Sequence, residues 1–538
     1  MTSTNGNNTG SNRSKDRTAP KNRRQGVFVP KNILLISPDS GKEMAERQFF
    51  SPPLGVMRLA GFLNAKGHVA DFFDPNLYAC NGKGPNLKEK LAETDWDIIG
   101  FSVLDQTLME DLQNIYLAKE VQPKALIIAG GIEAQFNYQT MLDKSPCRIV
   151  ILGEGEIPLK MLADGDPWEK IPGIVVKNMA MAMSEELFNE ATQTIAWESI
   201  NYEEYWDIYI DLYKDQWNDE IADQIQTVRV FSRNRCPIGC KYCSSTPQLT
   251  QATGLKIPVI STTEDNLIEV VERVVKSHPG VRMIYLTDDD FVINKLSVIR
   301  FCKKVIKHDF GDLIFMCFSR ITDLTEEVVS WMDKANFRKL NIGLESFSQD
   351  VLTEIGKRCD VDRIRPALDL LKKYNIRPFC AIILTTPQST LEDVEMTIDG
   401  ISSYLTDDFY QAGIIPAIFP LKGTEFAETY WDYKSETVAL PGTDHFIRRD
   451  EIIYCEDPLA REFQIRYLAE ADAVVEKYTT ESDIRHKNAA NLALVRLGFA
   501  KQLIAEIREK HGIPTDGSPG GQGPTKGRPG DSTRHALV

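Results

Sequence analysis

Cys236, Cys240 and Cys243 fall within the eight-residue run Cys236-Pro-Ile-Gly-Cys240-Lys-Tyr-Cys243, and thiols this close can converge on one inorganic centre. The run follows an apolar, β-prone stretch from Thr227 to Phe231, so the spacing predicts a loop leaving a strand, with Pro237 and Gly239 letting that loop curl back. Structural zinc takes four closed ligands, commonly as two paired half-sites. Here the gaps are three and two residues, no fourth partner stands nearby, and the nearest downstream histidine is His278. A four-iron cluster takes one cysteine per iron, so three cysteines leave one iron open to a small molecule. A zinc ion completed by a distant residue, or three unrelated buried thiols, are the alternatives.

Cys-x3-Cys-x2-Cys, with aromatic Tyr242 just before the third cysteine, resembles the signature loop of radical S-adenosylmethionine (SAM) enzymes. The resemblance implies that the three thiolates hold a [4Fe-4S] cluster, that SAM chelates the fourth iron through its amino and carboxylate groups, and that Tyr242 lies beside the adenine. In that family one electron from the cluster cleaves the sulfonium, giving methionine and a 5'-deoxyadenosyl radical that abstracts hydrogen.

The elements positioning this loop repeat as βα units from Thr227 onward, with candidate strands at Thr227 to Ser232, Val281 to Thr287, Leu313 to Phe318, Lys339 to Leu344, Phe379 to Thr385 and Gln411 to Ala417. Six such units predict an open, partial (βα)6 barrel with its chemistry on loops at the carboxyl ends of the strands. Asp288-Asp289-Asp290-Phe291 follows the second strand and resembles the segment that grips the SAM amino group. A carboxylate suits an ammonium through a charge-assisted hydrogen bond. Arg320 after the third strand, and Glu345 and Ser346 closing the fourth, resemble further SAM contacts. An ion pair between Arg320 and Glu345 that braces the barrel rim is the other reading. After the fifth strand Leu384-Thr385-Thr386-Pro387 carries threonines where the family has glycines, and Pro420-Leu421-Lys422-Gly423-Thr424 resembles the family's Pro-x-x-Gly-Thr turn.

Upstream, short apolar runs at Ile33 to Ile36, Val69 to Phe73, Asp97 to Val103, Ala125 to Ala129 and Arg148 to Leu152 alternate with helical periodicity. Strands with crossover helices of this length make a parallel sheet covered on both faces, whose ligands bind beyond the carboxyl ends of the strands. Small and polar residues gather there: Ser102 and Leu104, Gly130 and Gly131, Gly153 and Glu154. Ser-x-Leu, then Gly-Gly, then this last pair, together with Pro53-Leu54-Gly55 opening a helix, resemble the cobalamin-binding domain, a Rossmann-like, flavodoxin-type fold. The Asp-x-His-x-x-Gly element that brings a histidine to cobalt in many such domains is missing, and Asp39-Ser40-Gly41 stands in its place. His68 reads as a satisfied surface histidine, and the axial ligand is unassigned. A flavodoxin-like domain that binds another nucleotide, or none, shows the same strand-end glycines.

At 538 residues the chain exceeds one core. We expect a basic disordered tail at 1–26, a cobalamin-binding domain at 27–176 and an aromatic linker at 177–225. A radical SAM barrel at 226–424, a helical cap at 425–512 and a disordered tail at 513–538 complete the chain. Tyr454 and Cys455, just before the cap helices, are candidates for delivering hydrogen or a proton, with ordinary packing the default. A net charge of −15 speaks against nucleic acid or an anionic membrane as partner. Ten cysteines with no signal peptide and no bilayer-spanning apolar run point to a reducing cytoplasm.

Two cofactor domains in this order resemble the cobalamin-dependent radical SAM enzymes. That resemblance implies a methyltransferase acting on an unactivated carbon or phosphorus of a small molecule, reduced by a donor such as flavodoxin or ferredoxin, and a setting in specialised-metabolite or antibiotic biosynthesis. Cob(I)alamin there takes a methyl from one SAM, and a substrate radical made with a second SAM collects it. Ring contraction, cyclisation or rearrangement on the same architecture, and a non-catalytic cluster or cobalamin sensor, are the rival functions.

Overall fold

The computed structural model describes residues 28–40, 51–82, 84–174, 178–419, 421–430, 435–439, 446–450, 452–481 and 489–514. The tail expected at 1–26, Pro420 and all but the first two residues of the tail expected at 513–538 lie outside the described residues.

Five parallel strands, β1 (Asn32–Ile36), β2 (Val69–Phe73), β3 (Ile98–Ser102), β4 (Leu126–Gly130) and β5 (Ile149–Val150), form one sheet in the order β2-β1-β3-β4-β5. Its inner strands are apolar at nearly every position because both faces are covered. Leu34, Ile36, Ile99, Phe101 and Ile127 pack with Leu87, Leu91, Leu112 and Ile115 of two helices on one face. Ile33, Leu35, Ile98, Ile128 and Ile149 pack on the other with Val56, Ala60 and Leu63 of helix Leu54–Ala65 and Leu159 and Leu162 of helix Glu156–Ala163. The strand order reverses between β1 and β3, where a crevice opens in sheets of this kind. His68, expected at the surface, is buried: its Nδ1 accepts from the Lys31 N–H, and its ring lies 3.3 Å from Asp164.

The second sheet has six parallel strands, β6 (Thr227–Val230), β7 (Met283–Leu286), β8 (Ile314–Ser319), β9 (Phe337–Glu345), β10 (Arg377–Thr385) and β11 (Gln411–Ala417). They stand in sequential order with β6 and β11 at the edges, as an open barrel requires. Helix Glu264–Ser277 begins at Thr263, whose side chain accepts from the Asn266 N–H, and buries Leu267, Val270, Val271 and Val274 on one face, the periodicity of a sheet-covering helix.

The aromatic linker welds the two sheets together. Trp197, Tyr202, Trp206 and Tyr209 are buried in the barrel's core cluster and the ring of His278 packs against Tyr202 and Trp206, while the Tyr205 hydroxyl donates to Asp74 at 3.0 Å, next to β2. Helices Pro458–Glu481 and Ala489–Lys510 bury Phe463, Tyr467, Leu497 and Ile504 in the same core and lie against β11 and helix Leu391–Tyr404. No helix of the described residues is long and apolar enough to cross a membrane.

Candidate functional site

The carboxyl ends of both sheets face one cavity of about 480 Å³. Ser102, Gly130, Gly131, Gly153 and Glu154 line it from the first sheet, and Phe231, Arg233, Asn234, Asp288 and Asp289 from the second. Leu104, grouped with these residues by its motif, falls outside the lining: it is half-buried, and its carbonyl accepts from the Thr107 N–H as the chain turns.

Glycine is required at the first rim. Gly131 has φ of +93°, and a Cβ there would come within 2.7 Å of the Val103 carbonyl oxygen and 3.3 Å of Ser102 Oγ. Gly153 has φ of +73°, also a left-handed conformation that side chains resist. The charge that lines the cavity on this side gathers at a corner, where Arg58 bonds Glu154 at 2.6 Å and Glu156, and its guanidinium stands over the rings of Phe188 and Phe231. Burial holds the Glu154 carboxyl above its ordinary range, with Arg58 opposing that shift. One helical turn past Pro53-Leu54-Gly55, Arg58 is the residue which that opening delivers to the cavity, and no motif in the sequence marks it.

The cysteine loop follows β6 on the second rim. Cys236, Cys240 and Cys243 are all half-buried, and the Cys243 N–H donates to the Cys240 carbonyl at 3.1 Å. Burial raises all three thiols, Cys236 to about 11, and the charge of Cys240 adds to the shift of the other two. Such a trio calls for a cationic centre. Among the described residues no group of three or more His, Cys, Asp or Glu side chains is drawn together around a single ion. Three thiols without a fourth ligand are the donor set of a four-iron cluster with one open corner, and the loop fits that group. The glycine cradle and the two-walled cavity likewise fit a bulky ligand pressed against the backbone of the first sheet.

Behind the loop the acids have separate tasks. Asp288, 3% exposed, accepts from the backbone N–H of Ser232 at 2.6 Å and of Arg233 at 2.8 Å and from the Ser232 hydroxyl, which fastens the start of the cysteine loop to the end of β7. Asp289 is exposed to the cavity, accepts from the Ser245 hydroxyl and lies near Cys236 and Cys243. Asp290 is 1% exposed; burial first, then the neighbouring Asp323, pushes its carboxyl up to about 7.

Arg320 and Glu345 do not pair with each other. The Arg320 guanidinium donates to the Lys357 and Arg358 carbonyls at 3.0 and 3.2 Å and faces Asp323 at 3.5 Å. Glu345 instead bonds Lys357 Nζ at 2.7 Å, with both side chains buried. Gly343 makes that pair possible, since a Cβ there would lie 2.5 Å from Glu345 Oε1 and 2.6 Å from Lys357 Nζ. Glu345 carries this contact in the left-handed region, at φ of 71°, and Lys357 lies close enough to Cys240 to oppose the upward shift of its thiol. Burial first, then Glu345 and Cys240, holds the Tyr242 hydroxyl protonated well above its ordinary range; the residue packs against the apolar cluster that contains Leu352, Ile355 and Ile418. Ser346 is fully buried, sharing a 2.7 Å hydrogen bond with Thr397 and accepting from the Ser348 N–H. Cys455 is buried too, its thiol donating to the Thr386 carbonyl at 3.3 Å.

A third set of contacts clamps the rims together. Lys422 bonds Glu133 at 2.5 Å, with both side chains buried, the Gln135 amide donates to the Gln248 carbonyl at 2.6 Å, and a Cβ on Gly423 would collide with the ring of Phe136. Burial pushes the Glu133 carboxyl up to about 6, with Lys422 pulling against it.

Residues 230–401 match the radical SAM superfamily and residues 44–163 the B12 binding domain. The anaerobic magnesium-protoporphyrin IX monomethyl ester cyclase of Rubrivivax gelatinosus is 26% identical over 68% of this chain, which spans 64% of the cyclase's length. An uncharacterised methyltransferase of Pyrococcus horikoshii is 24% identical over 75% of this chain and 83% of its own. Among solved structures, the cobalamin-dependent SAM radical enzyme OxsB with aqua-cobalamin and SAM bound superposes with a TM-score of 0.64 at 13% identity, covering 90% of this chain and 76% of that one. The radical SAM methyltransferase TsrM of Kitasatospora setae, with cobalamin and a [4Fe-4S] cluster bound, gives 0.61 at 14% identity, covering 90% of this chain and all of the other. At such identities these structures attest the fold.

Proposed function

The chain belongs to the cobalamin-dependent radical SAM enzymes, and on that footing we propose that it transfers a methyl group from SAM, by way of cobalamin, to an unactivated carbon or phosphorus of a small molecule. Its cofactors are a [4Fe-4S] cluster, SAM and cobalamin; when bound they supply an electron, a hydrogen-abstracting radical and a methyl carrier, none of which side chains provide. The observation that carries the reading is a cavity lined from both rims, with Asp289 on its wall close to Cys236 and Cys243, since positioning reacting groups side by side is the protein's main contribution to such chemistry.

In this reading Cys236, Cys240 and Cys243 hold the cluster. Asp289, turned to the cavity, receives the SAM ammonium, while Asp288 acts by fixing the loop. Arg320, Tyr242 and the Glu345–Lys357 pair shape the remainder of the SAM site, with Ser346 supporting it from behind. Ser102, Gly130, Gly131 and Gly153 offer backbone and small side chains to cobalamin, and Glu154 holds Arg58 at its edge. The likeness to a methyltransferase in Pyrococcus horikoshii and to the methyltransferase TsrM supports methyl transfer. A setting in antibiotic biosynthesis belongs to the same proposal.

Cyclisation is the second reading, favoured by the 26% identity to a cyclase. Counting products separates the two. A methyltransferase makes S-adenosylhomocysteine and 5'-deoxyadenosine in step with methylated product. Turnover that yields 5'-deoxyadenosine and altered substrate without S-adenosylhomocysteine would discard methyl transfer in favour of the cyclase reading.

A further inference from the structure

A second pocket, of about 270 Å³, lies beside the main cavity and shares Glu154 and Glu156 with it. Pro158, Pro172, Met183 and Leu187 give it apolar walls, and Glu186 and Glu190 add two more carboxylates. Apolar walls carrying a few placed polar groups are the make-up of a small-ligand site. Arg58 lines the main cavity and not this one, so the carboxylates that it holds stand where the two spaces meet.

Glu156 is fully buried. Its Oε1 accepts from Arg58 Nε, but its Oε2 has no hydrogen-bond partner among the described residues. Arg58 is shared, since its Nη2 donates to Glu154 and its guanidinium lies against Phe188 and Phe231. Glu156 opens helix Glu156–Ala163 behind a Gly155 cap that has no side chain, yet Oε2 does not turn back to the N–H groups of its own helix. A buried acceptor left bare is costly, and folded proteins nearly always satisfy one. Charge indicates which donor belongs there. Arg58 holds Glu154 and Glu156, Lys66 holds Glu190, and Glu186 is exposed. Four carboxylates against two cations leave an excess of two negative charges among these groups. A neutral amide would satisfy Oε2 and leave that excess standing, whereas an ammonium answers both through a charge-assisted bond.

We propose that this side pocket binds a primary ammonium group carried on a short apolar chain, with Glu156 Oε2 accepting from it, and that the ligand is the substrate, whose far end reaches past Arg58 into the main cavity. The proposal rests on the methyl-transfer reading for the identity of that cavity and adds the chemical class of the small molecule. Glu156 then decides which end of the substrate is turned toward the cofactors. The apolar walls carry the chain, and Glu186 draws the cation inward from the exposed side.

The test titrates n-hexylammonium into protein loaded with its cluster and cob(II)alamin and follows the probe by proton NMR relaxation. Cob(II)alamin is paramagnetic and relaxes the nearest protons fastest, so the terminal methyl should relax faster than the methylene next to nitrogen. Hexan-1-ol, of the same length without the charge, should bind roughly tenfold more weakly or worse. Glu156→Gln should weaken n-hexylammonium roughly tenfold or more and Glu186→Gln about two- to threefold, both at unchanged cobalamin and iron content. Because Glu156→Gln also alters the hold on Arg58, Ala182→Trp serves as the second variant: Ala182 lines the pocket away from the acids, and the indole should abolish binding at the same cofactor content. Hexan-1-ol bound as tightly as n-hexylammonium, undiminished affinity in Glu156→Gln or Ala182→Trp, or a methyl end that relaxes more slowly than the nitrogen end would each overturn the proposal. So would n-hexylammonium that binds only before cobalamin is loaded, since the pocket would then belong to that cofactor's own amides. A protein that takes up neither cobalamin nor iron would instead sink the reading on which the proposal rests.

Discussion

The two rims that face each other across the cavity are made of opposite materials. The first presents Gly130, Gly131 and Gly153, and keeps its charge at the Arg58 corner. The second crowds Asp288, Asp290 and Glu345 into burial at or just past the ends of its strands, with buried Lys357 brought to Glu345 from beyond the next helix. One rim offers shape and bare backbone, which suits a broad ligand laid against it. The other offers arranged charge, which suits a cationic ligand and a cluster whose electron count changes. Substitutions on the first rim should therefore act through volume and those on the second through charge.

The largest effect belongs to the cluster ligands. Cys240→Ala should abolish SAM cleavage to background and strip the protein of its iron and sulfide while leaving cobalamin uptake intact; a variant that stayed brown and still cleaved SAM would remove the basis of the second rim. Next is Gly131→Val. A forced left-handed position costs about 1–3 kcal/mol, and the new side chain would also strike the Val103 carbonyl, so cobalamin affinity should fall roughly tenfold or more at unchanged iron content. If equilibrium titration found cobalamin bound as tightly as before, recognition by shape would be the wrong description. The smallest is Lys357→Gln. Loss of the ammonium beside Cys240 should lower the ratio of reduced to oxidised cluster roughly tenfold at fixed potential, about 59 mV for one electron, with Lys357→Arg restoring most of it. Redox titration followed by electron paramagnetic resonance reads this directly, and identical midpoints in all three proteins would refute it.

Features written in adjacent residues were legible in the sequence. The cysteine loop, the strand-end glycines and the alternation of strand and helix each arise from local chemistry, and the structure sets the loop after β6, Gly130 and Gly131 at the end of β4 and Gly153 after β5. Pairings between distant residues were not. Lys357 follows a short helix in an unremarkable Gly356-Lys357-Arg358 run, and only the fold carries it to Glu345; that is why Arg320 stood as the alternative ion-pair partner of Glu345. Glu133 and Lys422 are 289 residues apart. His68 was read as a surface residue because its turn is polar, yet Phe28 covers its ring at a centroid distance of 5.1 Å. Leu104, at the motif position beside Ser102, stands outside the cavity lining.

The clamp of Lys422 on Glu133, with Phe136 seated over Gly423, bears on how the protein matures. A chamber with its floor in one sheet and its roof in the other does not exist until both have met. A fragment ending before β6 would fold into a floor without a roof, and uptake of the red corrinoid by refolding chains would serve as a gauge of finished assembly.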